Sequence, residues 1–222
     1  MKRLLPFFLG LGLGACGSSG SGDAGPPVTA QGYYGFVAGQ CFEYSETDGG
    51  LPTLGIVVAS EATGVALQLD RHGQETRVDH LVFDGGLALL TQQDFVAGGT
   101  LRTRNFATPI EYVQAPLATT NASLSTSTGY QDSPSGSGQE SWETDVLSEQ
   151  PFSCAAGSYP TAFELQFTTT DSQVDGGESF AERRWAAPDV GFVDVYTQDD
   201  LGVFANFSLV DVKPADGGCA AH

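Results

Sequence analysis

Ala162-Phe163-Glu164-Leu165-Gln166-Phe167-Thr168 decides the fold class. In an extended chain Phe163, Leu165 and Phe167 share one face and Glu164 and Gln166 the other, a period of two that marks a strand with one face in a core and one in water. The same period returns nearby. Phe192, Asp194 and Tyr196 alternate with Val193 and Val195, and within 203–212 Phe207 and Leu209 stand opposite Asn206 and Ser208. Upstream, Val65, Leu67 and Leu69 alternate with Ala66, Gln68 and Asp70. Further strands are expected at 41–44, 54–59, 76–83, 87–91 and 178–185.

Turn chemistry separates these runs. Asp48-Gly49-Gly50, His72-Gly73 and Asp84-Gly85-Gly86 fall between them, and Asp-Gly-Gly returns at 175–177 and 216–218. Such pairs supply the positive φ that tight hairpins require. No segment carries helical apolar spacing over several turns. The expectation is an all-β fold, a single antiparallel meander curled into a half-open barrel or sandwich over residues 33–214. Residues 117–141, rich in Ser and Thr, read as a long exposed loop or edge hairpin, and 215–222 as a C-terminal tail.

The chain of 222 residues suits one domain, able to bury a core without help from disulfides. Its 27 acidic side chains face 9 basic ones, a formal charge of −18. That field repels phosphate backbones and anionic headgroups, which argues against nucleic acid and against electrostatic membrane binding.

The N-terminus carries a different message. Lys2 and Arg3 precede an apolar run from Leu4 to Leu13, too short to span a bilayer, and Leu13-Gly14-Ala15-Cys16 ends it. This order resembles the signal peptide and lipobox of bacterial lipoproteins. The resemblance implies that residues 1–15 are removed and that Cys16 carries diacylglycerol on its sulfur and an acyl chain on its amine. Loss of Lys2 and Arg3 takes the charge to −20. Residues 16–32 then form a lipid-anchored flexible linker, Gly- and Ser-rich and stiffened by Pro26-Pro27. Gly17, rather than Asp, follows the cysteine, which by the same resemblance implies the outer membrane, on its periplasmic or surface face.

Trp185-Ala-Ala-Pro188-Asp-Val190-Gly191-Phe-Val193 resembles a stretch of uncharacterised secreted bacterial β-proteins whose antiparallel sheet curls into an incomplete barrel. Pro188 and Gly191 permit a sharp turn there, and Trp185 is expected to plug one end of the curled sheet.

With Cys16 lipidated, Cys41, Cys154 and Cys219 are left in an oxidising compartment. One bridge and one thiol is the simplest account. The preferred pairing is Cys41 with Cys219, which bracket the body and would tie first strand to last, leaving Cys154 as the third thiol.

Catalytic motifs are sparse. The histidines are His72, His80 and His222, and no Gly-x-Ser-x-Gly is present. His80 alternates with Val78 and Val82, so it is expected to point inward as a hydrogen-bonded core histidine, and it is the residue to suspect if an active site is hidden. Asp70, His72, Asp79 and His80 could meet as metal ligands across the 70–80 hairpin only if register turned them together. The spacing points to no metal, no cofactor and no assigned catalytic residue. Three roles stay open: a lipid-anchored envelope domain with a non-enzymatic binding or structural role, a carrier or sensor of an apolar ligand in the curled sheet, and an envelope hydrolase. The partners are the membrane, through the lipid, and a protein or apolar ligand. Phe163, Phe167, Trp185 and Phe207 are enough to fill a concave face, which favours the first role.

The lipid anchor is directly testable. Cys16→Ser is expected to abolish metabolic labelling by a fatty acid and to release the body from membranes; unmodified Cys16 in the wild-type membrane fraction would contradict it.

Overall fold

A computed structural model describes residues 28–46, 51–72, 74–97, 100–134, 136–173, 179–198, 204–215 and 219. The expected signal peptide, Cys16 and most of the expected linker lie outside the described residues. A helical turn, α1 (Ala30–Tyr33), precedes twelve strands. They are β1 (Gln40–Ser45), β2 (Leu54–Ser60), β3 (Gly64–Arg71), β4 (Gln74–Asp84), β5 (Leu87–Ala97) and β6 (Thr100–Gln114), then β7 (Leu124–Ser133), β8 (Ser137–Cys154), β9 (Gly157–Asp171), β10 (Ser179–Ala187), β11 (Gly191–Gln198) and β12 (Phe204–Pro214).

Each strand pairs antiparallel with the next, and β12 returns to pair with β1. The meander is therefore a closed barrel, which corrects the expected half-open sheet. Closure runs from Gln40 opposite Pro214 to Ser45 opposite Ser208, with a bulge at Glu43/Tyr44. Pairing these two edges removes the unpaired amides that an open sheet would leave. Outside the seam, Lys213 Nζ meets Glu43 at 2.7 Å and a disulfide joins Cys41 to Cys219.

The stretch 117–141, read as a long exposed loop or edge hairpin, carries β7 and the start of β8, a hairpin paired from Leu124 opposite Thr144 to Gln131 opposite Ser137 that lies within the closed wall rather than at an edge. Its composition reflects an unusual junction. β6 and β7 pair through their backbones only over Thr103–Phe106 and Tyr130–Ser133. Farther along, the amides of Thr108 and Glu111 donate to the hydroxyls of Thr128 and Thr126, at 2.9 and 3.1 Å. Threonine side chains here take the place of carbonyls.

The other surprise is at the start. Thr29 caps α1, its hydroxyl accepting from Gly32 N at 3.2 Å, so the fold claims residues expected in the linker, and Ala30 is fully buried. α1 and the residues after it close one end of the barrel. Ala30 N donates to Gly85 O, Asp189 N donates to Tyr33 O, and the Tyr34 hydroxyl donates to Gln114 O. Gly191, at φ 107°, sits so near the Tyr34 carbonyl that a Cβ would lie 2.3 Å from its oxygen. Gly191 thus serves the contact with this plug as well as the turn.

Aromatic rings fill the lumen. Tyr34 stacks on Phe36 at 5.6 Å and meets Phe192 at 5.5 Å; Phe192 meets Phe167, Phe167 meets Tyr112, and Tyr112 meets Trp142 at 5.9 Å. Full burial of such side chains contributes about 1.5–3 kcal/mol each. Between the rings lies a buried ion network. Arg184 binds Glu182 at 2.7 Å and the Tyr112 hydroxyl, with its guanidinium 4.8 Å from the Phe167 ring centre. Arg77 approaches Asp79 at 3.2 Å and Glu182 at 3.7 Å, Thr197 donates to Glu182, and Gln93 donates to Asp79. Toward the unplugged end, Arg104 lies 3.6 Å over Tyr130 and binds Asp132, Glu140 and Asp171. The cavity left among Tyr34, Phe42, Tyr44 and Arg184 is about 30 Å³, space for about one water.

On β7 and β8 the outward face is polar: Ser125, Ser127, Ser141 and Glu143 are exposed. A membrane-crossing barrel has the reverse, an apolar outer band roughly 25 Å tall.

Burial alone would raise the Glu182 carboxyl, but Arg184 and Arg77 overcome it and hold it at about 2. Its stabilising contribution is therefore complete above the ordinary value of 4.5 and lost as pH falls toward 2. Glu182→Leu, which leaves two buried guanidiniums short of a partner, is expected to cost about 3–5 kcal/mol in urea unfolding at neutral pH. Glu182→Gln is expected to flatten the acid limb of the stability curve.

Candidate functional site

His80 lies on the face opposite to the expected one. On β4 the inward positions are Arg77, Asp79 and Leu81, so His80 points outward with Val78 and Val82. The alternation holds, but the inward row begins with two charged residues, which inverts its apparent sidedness. Asp79 and His80 thus face opposite sides of the sheet, and Asp70, His72, Asp79 and His80 do not converge. Among the described residues no group of three His, Cys, Asp or Glu side chains is arranged to hold a metal ion.

Outside the barrel, His80 is clamped. Nδ1 lies 2.6 Å from Glu61 and Nε2 3.2 Å from Asp94, with the Gln92 amide nearby and bound to Asp94 at 3.1 Å. Burial lowers the His80 pKa, but the hydrogen bonds and charges of Glu61 and Asp94 outweigh it and raise the value. Both ring nitrogens face carboxylate oxygens, an arrangement that favours the protonated ring over the neutral one.

Trp185 is corrected too. It does not plug the barrel; that place belongs to Tyr34 and Phe36. Arg184 takes the inward position, and Trp185 points outward, stacked on Phe152 with ring centres 5.4 Å apart. Phe163, Phe167 and Phe207 do point into the core, each at most 4% exposed. Cys154, near the tip of the β8–β9 hairpin, is outside the disulfide and is half-buried.

Trp185 belongs instead to an outer groove of about 570 Å³ across β9, β10, β11 and β12. Register builds it in two rows. Glu164, Trp185, Asp194 and Ser208 lie side by side across the four strands. Gln166, Arg183, Tyr196 and Asn206 form the adjacent row. Trp185 and Tyr196 are diagonal neighbours, roughly 7–8 Å apart by sheet geometry, and Arg183 and Asp194 occupy the other diagonal. The polar members are oriented. Arg183 binds Glu164 at 3.3 Å, and Glu164 accepts from Ser148 at 3.1 Å. Asn206 donates to Asp194 Oδ2 at 3.1 Å, and Ser208 donates to the same oxygen. Burial pushes the Asp194 carboxyl up, against these two donors. Tyr196 is 38% exposed, unusual for a large ring on this barrel. The alternation at 192–196 showed that Asp194 and Tyr196 share a face; only strand register shows that four strands assemble them with Trp185.

No family model matches the chain, and no curated protein does. Among solved structures, it is similar to a Parabacteroides distasonis protein described as a lipoprotein, with a TM-score of 0.40, 11% identity, and coverage of 80% of this chain and 96% of that one. It is also similar to a Bacteroides fragilis protein described as exported and as having a YmcC-like fold, with a TM-score of 0.40, 10% identity, and coverage of 82% and 98%. At these values the likeness carries no functional argument.

The His80 clamp gives a pH signature. A raised folded-state pKa stabilises the protein fully below the unfolded value of 6.5 and loses that contribution as pH rises through the folded value. The stability difference between wild type and His80→Gln is therefore expected to be larger at pH 5.5 than at pH 8.5, read by urea unfolding (two test conditions about the unperturbed value). An equal difference at both would refute the clamp.

Proposed function

We propose that this chain is a water-facing β-barrel tethered to the bacterial cell envelope, at the outer membrane, by lipid on Cys16, and that it binds a partner rather than catalysing a reaction. The observation that carries the reading is the contrast between the two sides of the wall. The described lumen is packed down to a cavity of about 30 Å³, whereas drug-sized ligands need roughly 300–1,000 Å³. The outer face carries an aromatic and polar groove of about 570 Å³. An interior carrier would need the reverse.

The lipobox supports the tether. Eleven residues separate Cys16 from Val28, and their Gly- and Ser-rich composition is that of a spacer reaching about 20 Å on average. Because the fold begins at α1, the plugged end lies nearest the anchor, and the long outer faces stand beside it in water. His80 is engaged on the outer wall by Glu61 and Asp94, with no nucleophile among its partners, which weighs against the hydrolase.

Native mass spectrometry of the protein purified from its own envelope tests the proposal. The expected species is the mature chain with acyl groups on Cys16 and no small apolar molecule inside. A retained apolar ligand would make it a carrier. A hydrolytic turnover present in wild type and lost in His80→Ala would make it an enzyme.

A further inference from the structure

We infer that the groove across β9–β12 is a binding site for neutral oligosaccharides, with Trp185 and Tyr196 as platforms for sugar rings. This rests on the reading of that face as the binding surface, and it names the ligand class.

The chemistry of a sugar is two-sided: a pyranose presents C–H faces that lie on aromatic rings, and a rim of hydroxyls that both donate and accept. The groove offers both kinds of partner within one block. Its two rings lie on one diagonal, and each has polar groups beside it along the row. Asp194 accepts, Arg183 donates, and Gln166 and Asn206 do both. The polar groups are held before any ligand arrives: Arg183 by Glu164, and Asp194 by Asn206 and Ser208. The two donors to Asp194 fall on Oδ2 alone, so Oδ1 takes neither bond. Trp185 is likewise fixed from behind by Phe152. Side chains fixed in this way lose little rotamer freedom on binding.

Other partners fit less well. An extended peptide adds to a sheet through an open edge, and β9, β10, β11 and β12 are paired on both sides. An apolar protein knob needs a desolvated pocket, whereas this groove has charged or amide groups in every column. Acidic polysaccharides face the repulsion of a chain of net charge −18.

Trp185 provides the readout. Lipid-free protein lacking residues 1–16 is titrated with tetra- to hexasaccharides built on glucose, mannose or N-acetylglucosamine, and with oligogalacturonate as the anionic control, following tryptophan fluorescence and heat. Saturable binding of at least one neutral series is expected, with oligogalacturonate silent. Tyr196→Ala and Asn206→Ala, both exposed and dispensable for the core, are each expected to weaken it at least about tenfold. Ser127→Ala, on β7, is expected to change nothing. Absence of saturable binding by all neutral series, or binding indifferent to Tyr196→Ala and Asn206→Ala, overturns the sugar site. A photo-crosslinker at Tyr196, applied to the lipidated protein in its envelope, separates the two readings. If sugars fail but it captures one defined protein that Asn206→Ala no longer captures, the binding face stands and the ligand class falls. If both fail, the face falls as well.

Discussion

Four charges in the middle of the barrel set the terms for everything around them. Arg77, Asp79, Glu182 and Arg184 come from two strands far apart in the chain, β4 and β10, and meet among aromatic rings. An unpaired charge there would cost several kcal/mol, so the wall must close around the network with both strands in register. Slipping β10 by one residue would put Arg183 and Trp185 inside and Arg184 and Glu182 outside. The network therefore disfavours wrong registers more than it adds to stability. It also fixes which face of β10 reaches water, and hence the groove.

That inversion explains where sequence reading succeeded and where it failed. The strands at 162–168 and 203–212 were legible because their inward rows are apolar: Phe163, Leu165 and Phe167 are buried as the alternation requires. At 192–196 the strand was legible but not its phase at Phe192, which a bulge turns into the lumen while Asp194 and Tyr196 face out. On β4 the period was legible and the side was not, because Arg77 and Asp79 occupy inward positions that the sequence marks as polar. The same holds for β10, where Arg184 is inside and Trp185 outside. Hydrophobic pattern gives phase only where burial means apolarity. The stretch 117–141 was legible as a hairpin but not as part of the closed wall, for a related reason. Thr126 and Thr128 replace backbone partners across the β6–β7 junction, so a structural role produced the composition of a loop. Closure was not legible at all, since it depends on pairing β1 with β12 across most of the chain, with no local signal beyond the cysteines at 41 and 219.

Among the described residues the interior of the barrel is filled. The column from Phe36 to Trp142 takes up the interior that a ligand-carrying barrel leaves empty. What that interior provides instead is a stiff wall. Long strands joined on both sides cannot shift singly, so the rows of outward side chains keep their spacing. Tyr196 and Trp185 owe their separation to β10–β11 register alone, and that register is pinned on the inner side by Arg184 and Val195.

This geometry gives the plug a second consequence. α1 locks to the β4–β5 and β10–β11 turns through Gly85 and Asp189, and Gly191 admits it by lacking a Cβ. The β10–β11 turn that receives the plug also begins the strand that carries Asp194 and Tyr196. α1 is thus fastened to the hairpin that presents the groove. The described chain enters the fold at the end of the barrel, while the groove lies along its side. The physical division is consistent at each level: apolar side chains and paired charges inward, the helical plug at one end, and aromatic and polar side chains on the lateral wall.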